Sequence, residues 1–181
     1  MTRFLLWLLG GVGLGGIIPI VVLPPLPALA EQSLWSRVAD IEADNRMVIL
    51  PRVVAGEPNP LGLDPALAYG LCRVDLANGP AYVSGVLPEG FWSVALFNPS
   101  GIVTYSTTNR DGIGKTLELG IFNAAQTRLL AQQQLDIAEG LLVVESASDE
   151  LLILVRLAPP HQVMRTRFEQ ELSEVECGTR N

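Results

Sequence analysis

The chain has 181 residues and a formal net charge of −7, from 12 Lys and Arg against 19 Asp and Glu. This length suits one domain that buries a sizeable core. Only one basic residue, Arg3, precedes Glu31, so the chain beyond residue 30 is more acidic still. Nucleic-acid binding needs a basic surface, and so does docking by charge on an anionic membrane. The composition therefore argues against both.

Residues 1–30 are typical of a membrane-targeting segment. Arg3 comes before an uncharged apolar run from Phe4 to Val22, and a proline-rich stretch then leads to Ala28-Leu29-Ala30. The run exceeds the roughly 7–15 residues of a signal-peptide core and approaches the roughly 20 that span a bilayer. A cleaved signal peptide and a transmembrane anchor both stay open. Either one places the following residues outside the cytoplasm, anchored in the inner membrane or in the periplasm.

The next segment, residues 31–60, is predicted to be a linker with a short helix and a first strand. Apolar residues at helical spacing favour a helix within 31–45. The partly β-branched residues 47–54 favour a strand. Residues 61–181 are predicted to continue the same fold as an extracytoplasmic β-rich domain.

A second helix is predicted from Asp64 to Arg73. Asp is a favoured helix cap, and Pro65 would occupy the first helical position, where a missing N–H costs nothing. A turn at Asn78-Gly79-Pro80 then leads into a predicted strand, residues 81–87.

A β-hairpin is the clearest element of the chain. Its arms, residues 91–97 and 102–108, are rich in aromatic and β-branched residues, and Asn98-Pro99-Ser100-Gly101 fits a type I turn. The rest of the pattern predicts a strand, a helix, a second hairpin and a closing helix, at residues 117–122, 124–134, 141–145 with 150–157, and 163–175. The sum is an α+β domain built on an antiparallel sheet with a few packing helices, with a sandwich as the alternative.

The inventory of catalytic side chains is sparse. His161 is the only histidine, which excludes a zinc site built on several histidines. The chain contains neither a GxSxG nor an HExxH motif. We therefore assign no catalytic residue, expect no cofactor and no metal, and favour a protein that is not an enzyme.

One group of polar residues could bind a ligand. Arg73 and Asp75 precede a turn, and Asn109 and Arg110 follow the hairpin. Two arginines that converge could hold a carboxylate between them. Trp92 and Tyr105 on the hairpin strands could form the wall of such a pocket. The alternative is that the charged residues belong to solvated turns and that the aromatic residues belong to the core.

The two cysteines, Cys72 and Cys177, both lie in the part predicted to be exported, where disulfides persist. We predict that they pair and that the bond holds the last helix on the domain. Two separate thiols are the alternative.

Three short motifs resemble a known family. They are Cys-Arg-Val-Asp-Leu-Ala-Asn-Gly-Pro at 72–80, Trp92-Ser93 and Asn109-Arg110. Together they resemble the short membrane-anchored bacterial proteins of the family numbered twelve-fifty-four among domains of unknown function. The resemblance covers under half of the chain, and it implies an N-terminal transmembrane helix and a β-rich exported domain that often accompanies a related partner domain. It implies no catalytic residues.

Two functional hypotheses follow. The first is a non-enzymatic binding or accessory module of the envelope, attached to the membrane by its N-terminal segment and to a protein partner or related domain. The second is a small extracytoplasmic enzyme or ligand-binding protein that acts on an anionic small molecule through Arg73 and Arg110. Convergence of the two guanidinium groups in one pocket would separate them.

Overall fold

A computed structural model describes residues 34–110, 115–132 and 140–180. The predicted membrane-targeting segment lies outside these residues. No helix within them is long and apolar enough to cross a bilayer. Their architecture is α+β, as predicted, but with two sheets where one was expected.

Sheet A has five strands in the order β1-β2-β8-β4-β5, and all of its neighbours are antiparallel. Its strands are β1 (Val48–Ile49), β2 (Ala68–Asp75), β8 (Glu150–Ala158), β4 (Phe91–Phe97) and β5 (Val103–Thr108). Sheet B has four strands in the order β7-β6-β3-β9, and only its β6–β7 pair is parallel. Its strands are β7 (Leu142–Ser146), β6 (Thr116–Asn123), β3 (Ala81–Val86) and β9 (Glu176–Thr179).

Three short α-helices and two 3₁₀ turns complete the described part of the chain. The helices are α1 (Leu34–Val38), α2 (Ala124–Gln132) and α3 (Arg165–Ser173), and the 3₁₀ turns are Leu76–Asn78 and Gln162–Met164. The first predicted helix and the first predicted strand are therefore shorter than expected. The first strand ends early because Pro51, which has no N–H to donate, follows soon after β1.

The main core lies between the two sheets and α3. Alternate residues of β8, such as Ile153 and Val155, are fully buried there against Val83 and Leu119 of sheet B. Phe168 of α3 closes one end of this core.

A second, smaller core covers the opposite face of sheet A. Leu71 of β2 and Leu152 of β8 point to this face, and residues of the N-terminal segment, including Val38 and Leu50, pack on them. Residues 34–67 thus form a layer of the same domain. The central strands of sheet A are consequently buried on both faces.

The predicted helix from Asp64 to Arg73 is wrong. Asp64 does accept a hydrogen bond from the Ala66 N–H, at 2.8 Å, but the capped segment is a single turn, and strand β2 begins at Ala68. A strand buried on both faces loses the alternation of apolar and polar residues that identifies a half-exposed strand. The sequence therefore shows a helix-capping signal at Asp64 but no alternating pattern that would have indicated a strand.

The predicted second hairpin is also wrong, although both of its strands exist. β7 pairs in parallel with β6 of sheet B, whereas β8 lies between β2 and β4 of sheet A. The chain crosses between the sheets at the bend after Ser146, whose buried hydroxyl donates to the Ser148 carbonyl at 2.8 Å. A strand's own sequence pattern does not specify its partner, because alternation reports burial and not pairing.

The first hairpin is confirmed. β4 and β5 pair antiparallel, and the Gly101 N–H donates to the Asn98 carbonyl at 2.8 Å across the turn. Gly101 has a φ of 75°, a conformation that glycine adopts without steric cost. The predicted strands at 81–87 and 117–122 are confirmed as well.

The predicted disulfide is present, but it joins different elements from those expected. Cys72 lies on β2 and not on a helix, and Cys177 lies on β9, a strand that follows α3 and was not predicted. Their Cα atoms are 6.5 Å apart. The bond therefore links sheet A to sheet B through the core.

Helix α3 is attached to the N-terminal layer by a group of charged residues. Arg165, whose side chain is only 6% exposed, donates to the carbonyls of Pro65 and Leu67 and to the carboxylate of Glu169. Glu169 also accepts hydrogen bonds from Arg52. These hydrogen bonds hold the pKa of Glu169 below its usual value, and those from Arg52 have a larger effect than those from Arg165.

Replacing Cys72 and Cys177 by alanine should lower the free energy of unfolding by up to about 4–5 kcal/mol, because the bond closes a loop of 105 residues. Urea unfolding of the oxidised protein and of the double variant measures the difference. The oxidised protein should also contain no thiol that can be alkylated under denaturing conditions without reductant. Equal stability of the two proteins would contradict the role of the bond.

Replacing Glu169 by glutamine should cost about 2 kcal/mol at neutral pH, since charge-assisted hydrogen bonds are lost. The lowered pKa means that this stability is present above the ordinary glutamate pKa, near 4.3, and is lost as the pH falls through the folded-state value. Urea unfolding between pH 7 and pH 3 should therefore be less pH-dependent in the variant. The matched control is Glu171→Gln on the same helix, which breaks only the more exposed pair with Arg167 and should cost under about 1 kcal/mol.

Candidate functional site

The residues predicted to form one ligand pocket lie at two separate places on sheet A. Arg73 and Asp75 lie near the end of β2, where Asp75 pairs with Glu150 of β8. Asn109 follows β5, and its N–H donates to the Trp92 carbonyl at the start of β4. Two strands separate β2 from β5, and Arg73 is level with Phe97, at the far end of β4 from Trp92.

Strand spacings of about 4.8 Å across the sheet and 3.4 Å along it place the backbones of Arg73 and Arg110 about 25 Å apart. That distance is too great for both guanidinium groups to hold one small anion. The convergent pocket is therefore not formed. The physical reason is that β8, a strand from late in the chain, lies between β2 and β4 and separates the two arginines.

The aromatic residues of the predicted pocket belong to the core side of sheet A. Trp92 is only 2% exposed and packs among the core residues of β8 and α3. Tyr105 is half-buried against the same core from the edge strand β5. Neither side chain is among those that surround Arg73.

Asn109 and Arg110 form an exposed turn after β5. The Arg110 N–H donates to the hydroxyl oxygen of Thr108 at 3.3 Å. Both residues are exposed to solvent.

A polar cleft of about 350 Å³ surrounds Arg73, and we call it the Arg73 cleft. Both Arg73 and Asp75 contribute to it, so the structure brings together two of the six predicted ligand-binding residues. The other lining residues are Trp35, Asp44, Asn45, Val74, Asn78 and Glu150.

Arg73 is bound by a carboxylate within this cleft. Its Nε and one terminal nitrogen donate to the two oxygens of Asp44, at 2.7 and 2.8 Å. These hydrogen bonds lower the pKa of Asp44 and raise the pKa of Arg73, and the charge of Glu150 raises the latter further. The Arg73 side chain is 23% exposed and that of Asp44 is 68% exposed, so the acidic partner faces the solvent.

Backbone pairing holds Asp44 in place. The Arg73 N–H donates to the Ala43 carbonyl at 2.7 Å, and the Asn45 N–H donates to the Arg73 carbonyl at 2.8 Å. The Asn45 side chain in turn accepts from Thr179 of β9 at 3.1 Å. The cleft is therefore built where the N-terminal layer, sheet A and sheet B meet, close to the disulfide.

Asp75 has a structural role at the edge of the cleft. Its carboxylate accepts hydrogen bonds from the Ala77 N–H at 2.9 Å and from the Asn78 side chain at 3.0 Å, which caps the 3₁₀ turn. One guanidinium and the three carboxylates of Asp44, Asp75 and Glu150 leave the cleft with a net negative charge. The Arg73 cleft thus suits a cation and not the anion that the sequence suggested.

The sequence analysis missed Trp35, Asp44 and Glu150 as members of this site. They come from a segment treated as a linker and from the start of β8, far from Arg73 in the chain. Within the described ranges no group of three or more His, Cys, Asp or Glu residues is arranged to hold a metal ion. His161 is exposed in the bend after β8.

These features define an α+β domain of two packed sheets with an inter-sheet disulfide and an acidic cleft. No family model and no curated protein matches the chain. The crystal structure of the VPA0106 protein from Vibrio parahaemolyticus is similar, with a TM-score of 0.52 at 12% identity, over 65% of this chain and 28% of that one. An uncharacterised protein from Burkholderia cenocepacia is 13% identical over 88% of this chain and 43% of that one, with a TM-score of 0.49.

The chain therefore spans less than a third of the length of the Vibrio protein, at 28%, and less than half of the Burkholderia protein, at 43%. At 12% identity, the likeness to the Vibrio protein supports the fold alone.

Replacing Arg73 by methionine should raise the pKa of Asp44 toward its ordinary value, because the hydrogen bonds that lower it are lost. Carboxyl-carbon NMR titration of Asp44 measures this change. The loss of stability should stay under about 1 kcal/mol, since Asp44 is mostly exposed. This stability difference between the two proteins is present at neutral pH and disappears as the pH falls through the lowered pKa of Asp44. Arg128→Met, on α2, is the matched control and should leave Asp44 unchanged.

Proposed function

We propose that the chain is a non-enzymatic binding or accessory module of the bacterial envelope, and that its Arg73 cleft receives a cationic group of a protein partner. Residues 1–30 would hold the module at the membrane. The observation that carries the proposal is the excess of carboxylates around an arginine that is already paired.

The paired state of Arg73 decides the sign of the ligand. Asp44 occupies the guanidinium in a bidentate arrangement, so an incoming anion would have to displace it. Asp75 and Glu150 add two further carboxylates to the cleft. A lysine or arginine side chain is the cation that a protein partner supplies.

Trp35 gives the cleft an aromatic wall beside these carboxylates. A cation over an indole ring gains about 0.5–2 kcal/mol, depending on how far it is desolvated. Carboxylates and an indole together therefore favour a basic side chain over an inorganic cation.

Two observations support an envelope location. The Cys72–Cys177 bond is compatible with an oxidising compartment. The apolar segment before residue 31 is typical of export. The resemblance to the twelve-fifty-four family suggests a related domain as one such partner.

The test is affinity capture of the full chain from detergent-solubilised membranes. Asp75→Asn with Glu150→Gln removes two carboxylates from the cleft, while asparagine can still cap the 3₁₀ turn. The double variant should lose partners that the unmodified chain recovers, or recover them at least fivefold less.

The matched control is Glu57→Gln with Glu145→Gln, which removes the same charge from exposed positions outside the cleft. It should recover the partner normally. Equal recovery by both double variants would refute the role of the cleft, and repeated capture of no partner would refute the binding module.

A further inference from the structure

A small apolar cavity lies on the outer face of sheet A, beneath the N-terminal layer. Its volume is about 240 Å³. The floor is formed by side chains of three strands and the roof by the turn at residues 59–63. The apolar lining includes Leu71, Phe97, Leu152 and Leu154 in the floor and Leu61 and Leu63 in the roof.

Hydrogen bonds fix the shape of the roof. The Asn59 side chain donates to the Leu63 carbonyl at 2.8 Å and accepts from the Leu63 N–H at 2.9 Å. Arg37 donates to the Pro60 carbonyl at 2.8 Å, which ties the turn to α1. Gly62 has a φ of 63°, a conformation that favours glycine. The cavity is therefore formed before any ligand binds, which lowers the entropic cost of binding.

Arg156 of β8 is the single charged residue among the described residues that line this cavity. It points to the outer face of sheet A, level with Ser93 of β4 and Tyr69 of β2. Its Nε donates to the Ser93 hydroxyl at 3.0 Å. Its two terminal nitrogens have no hydrogen-bond partner among the described residues, and they remain available to a carboxylate.

Six of the nine other described arginines pair with a carboxylate of the chain, and the three that do not within the described ranges, Arg37, Arg110 and Arg128, are all exposed. Arg156 binds none within the described ranges, although it is half-buried and the chain has more acidic than basic residues. An unpaired, partly desolvated guanidinium is an anion site, because Arg binds carboxylates through its planar pair of donors.

The cavity volume limits the length of the ligand's hydrocarbon chain. A water molecule occupies roughly 30 Å³ in the liquid, and a methylene group is of similar size, so 240 Å³ holds about eight such groups. This is below the roughly 300–1,000 Å³ of pockets for drug-sized ligands.

We propose that this cavity binds a medium-chain carboxylic acid. Its carboxylate would bind the terminal nitrogens of Arg156, and about six to eight carbons would lie between the leucines of the roof and the floor. The anionic ligand that the sequence suggested is thereby placed at an arginine that the sequence analysis did not select. The cavity lies on the opposite face of β2 from the disulfide and shares no lining residue with the Arg73 cleft. A test of this proposal is therefore independent of the test of the proposed partner.

The probe is sodium octanoate, titrated into the full chain in lipid nanodiscs with labelled leucine methyl groups. The methyl signals of Leu61, Leu152 and Leu154 should shift and saturate. Acetate lacks the chain and octan-1-ol lacks the charge, and each should bind at least tenfold more weakly than octanoate.

Arg156→Gln should weaken octanoate binding at least tenfold. Arg128→Gln is the matched control, because Arg128 also has no carboxylate partner in the described chain but is exposed on α2, outside the cavity. It should bind octanoate normally.

A second variant, Leu154→Phe, fills the cavity and keeps Arg156, and it should also lose binding. The methyl spectrum without ligand shows whether Arg156→Gln folds. If it does not fold, Leu154→Phe becomes the decisive variant. Octanoate binding that is unchanged in the folded Arg156→Gln variant or in Leu154→Phe would overturn the proposal, as would octan-1-ol binding as tight as octanoate or the absence of a saturable shift.

Discussion

The burial of sheet A on both faces is the constraint on which the rest of the structure depends. β2 and β8 carry apolar residues toward sheet B on one side and toward the N-terminal layer on the other. Each large apolar side chain that is fully buried in this way contributes about 1.5–3 kcal/mol. Gly70 of β2 allows the closest approach, because a Cβ there would lie 2.7 Å from the Met47 sulfur and 3.1 Å from Leu172 of α3. A larger residue at position 70 would displace the end of the Met47 side chain and push against Leu172.

Several charged residues of the described chain attach the N-terminal layer to the rest of the domain. Arg165 and Arg52 converge on Glu169 and hold α3 against the N-terminal layer. Arg73 and Asp44 hold the same layer at the other end of β2. Because these arginines are neutralised within the domain, they are poor anion sites, and the two proposed ligand sites rest on the charges that remain, which are the carboxylates of the Arg73 cleft and the guanidinium of Arg156.

Elements with strong local signals were predicted correctly from the sequence. The hairpin of β4 and β5 followed from its aromatic and β-branched arms and from the turn chemistry of Asn98 and Gly101, which act over a few residues. β2 was predicted as a helix because the capping signal at Asp64 precedes it and because a strand buried on both faces shows no alternation to oppose that signal. The pairing of Cys72 with Cys177 was predicted from the cysteine count and the expected compartment, without knowledge of the strands that carry them.

Most local elements, the acidic composition, the apolar pattern typical of an export segment and the presence of two cysteines follow from the sequence alone, because they depend on neighbouring residues or on composition. Only the tertiary structure decided which strands became neighbours and therefore which charged residues meet. β8 enters sheet A between β2 and β4, which separates Arg73 from Arg110 and brings Glu150 to the Arg73 cleft and Arg156 to the cavity. Pairing partners distant in the chain are selected by the burial of whole faces, and no short stretch of sequence contains that information.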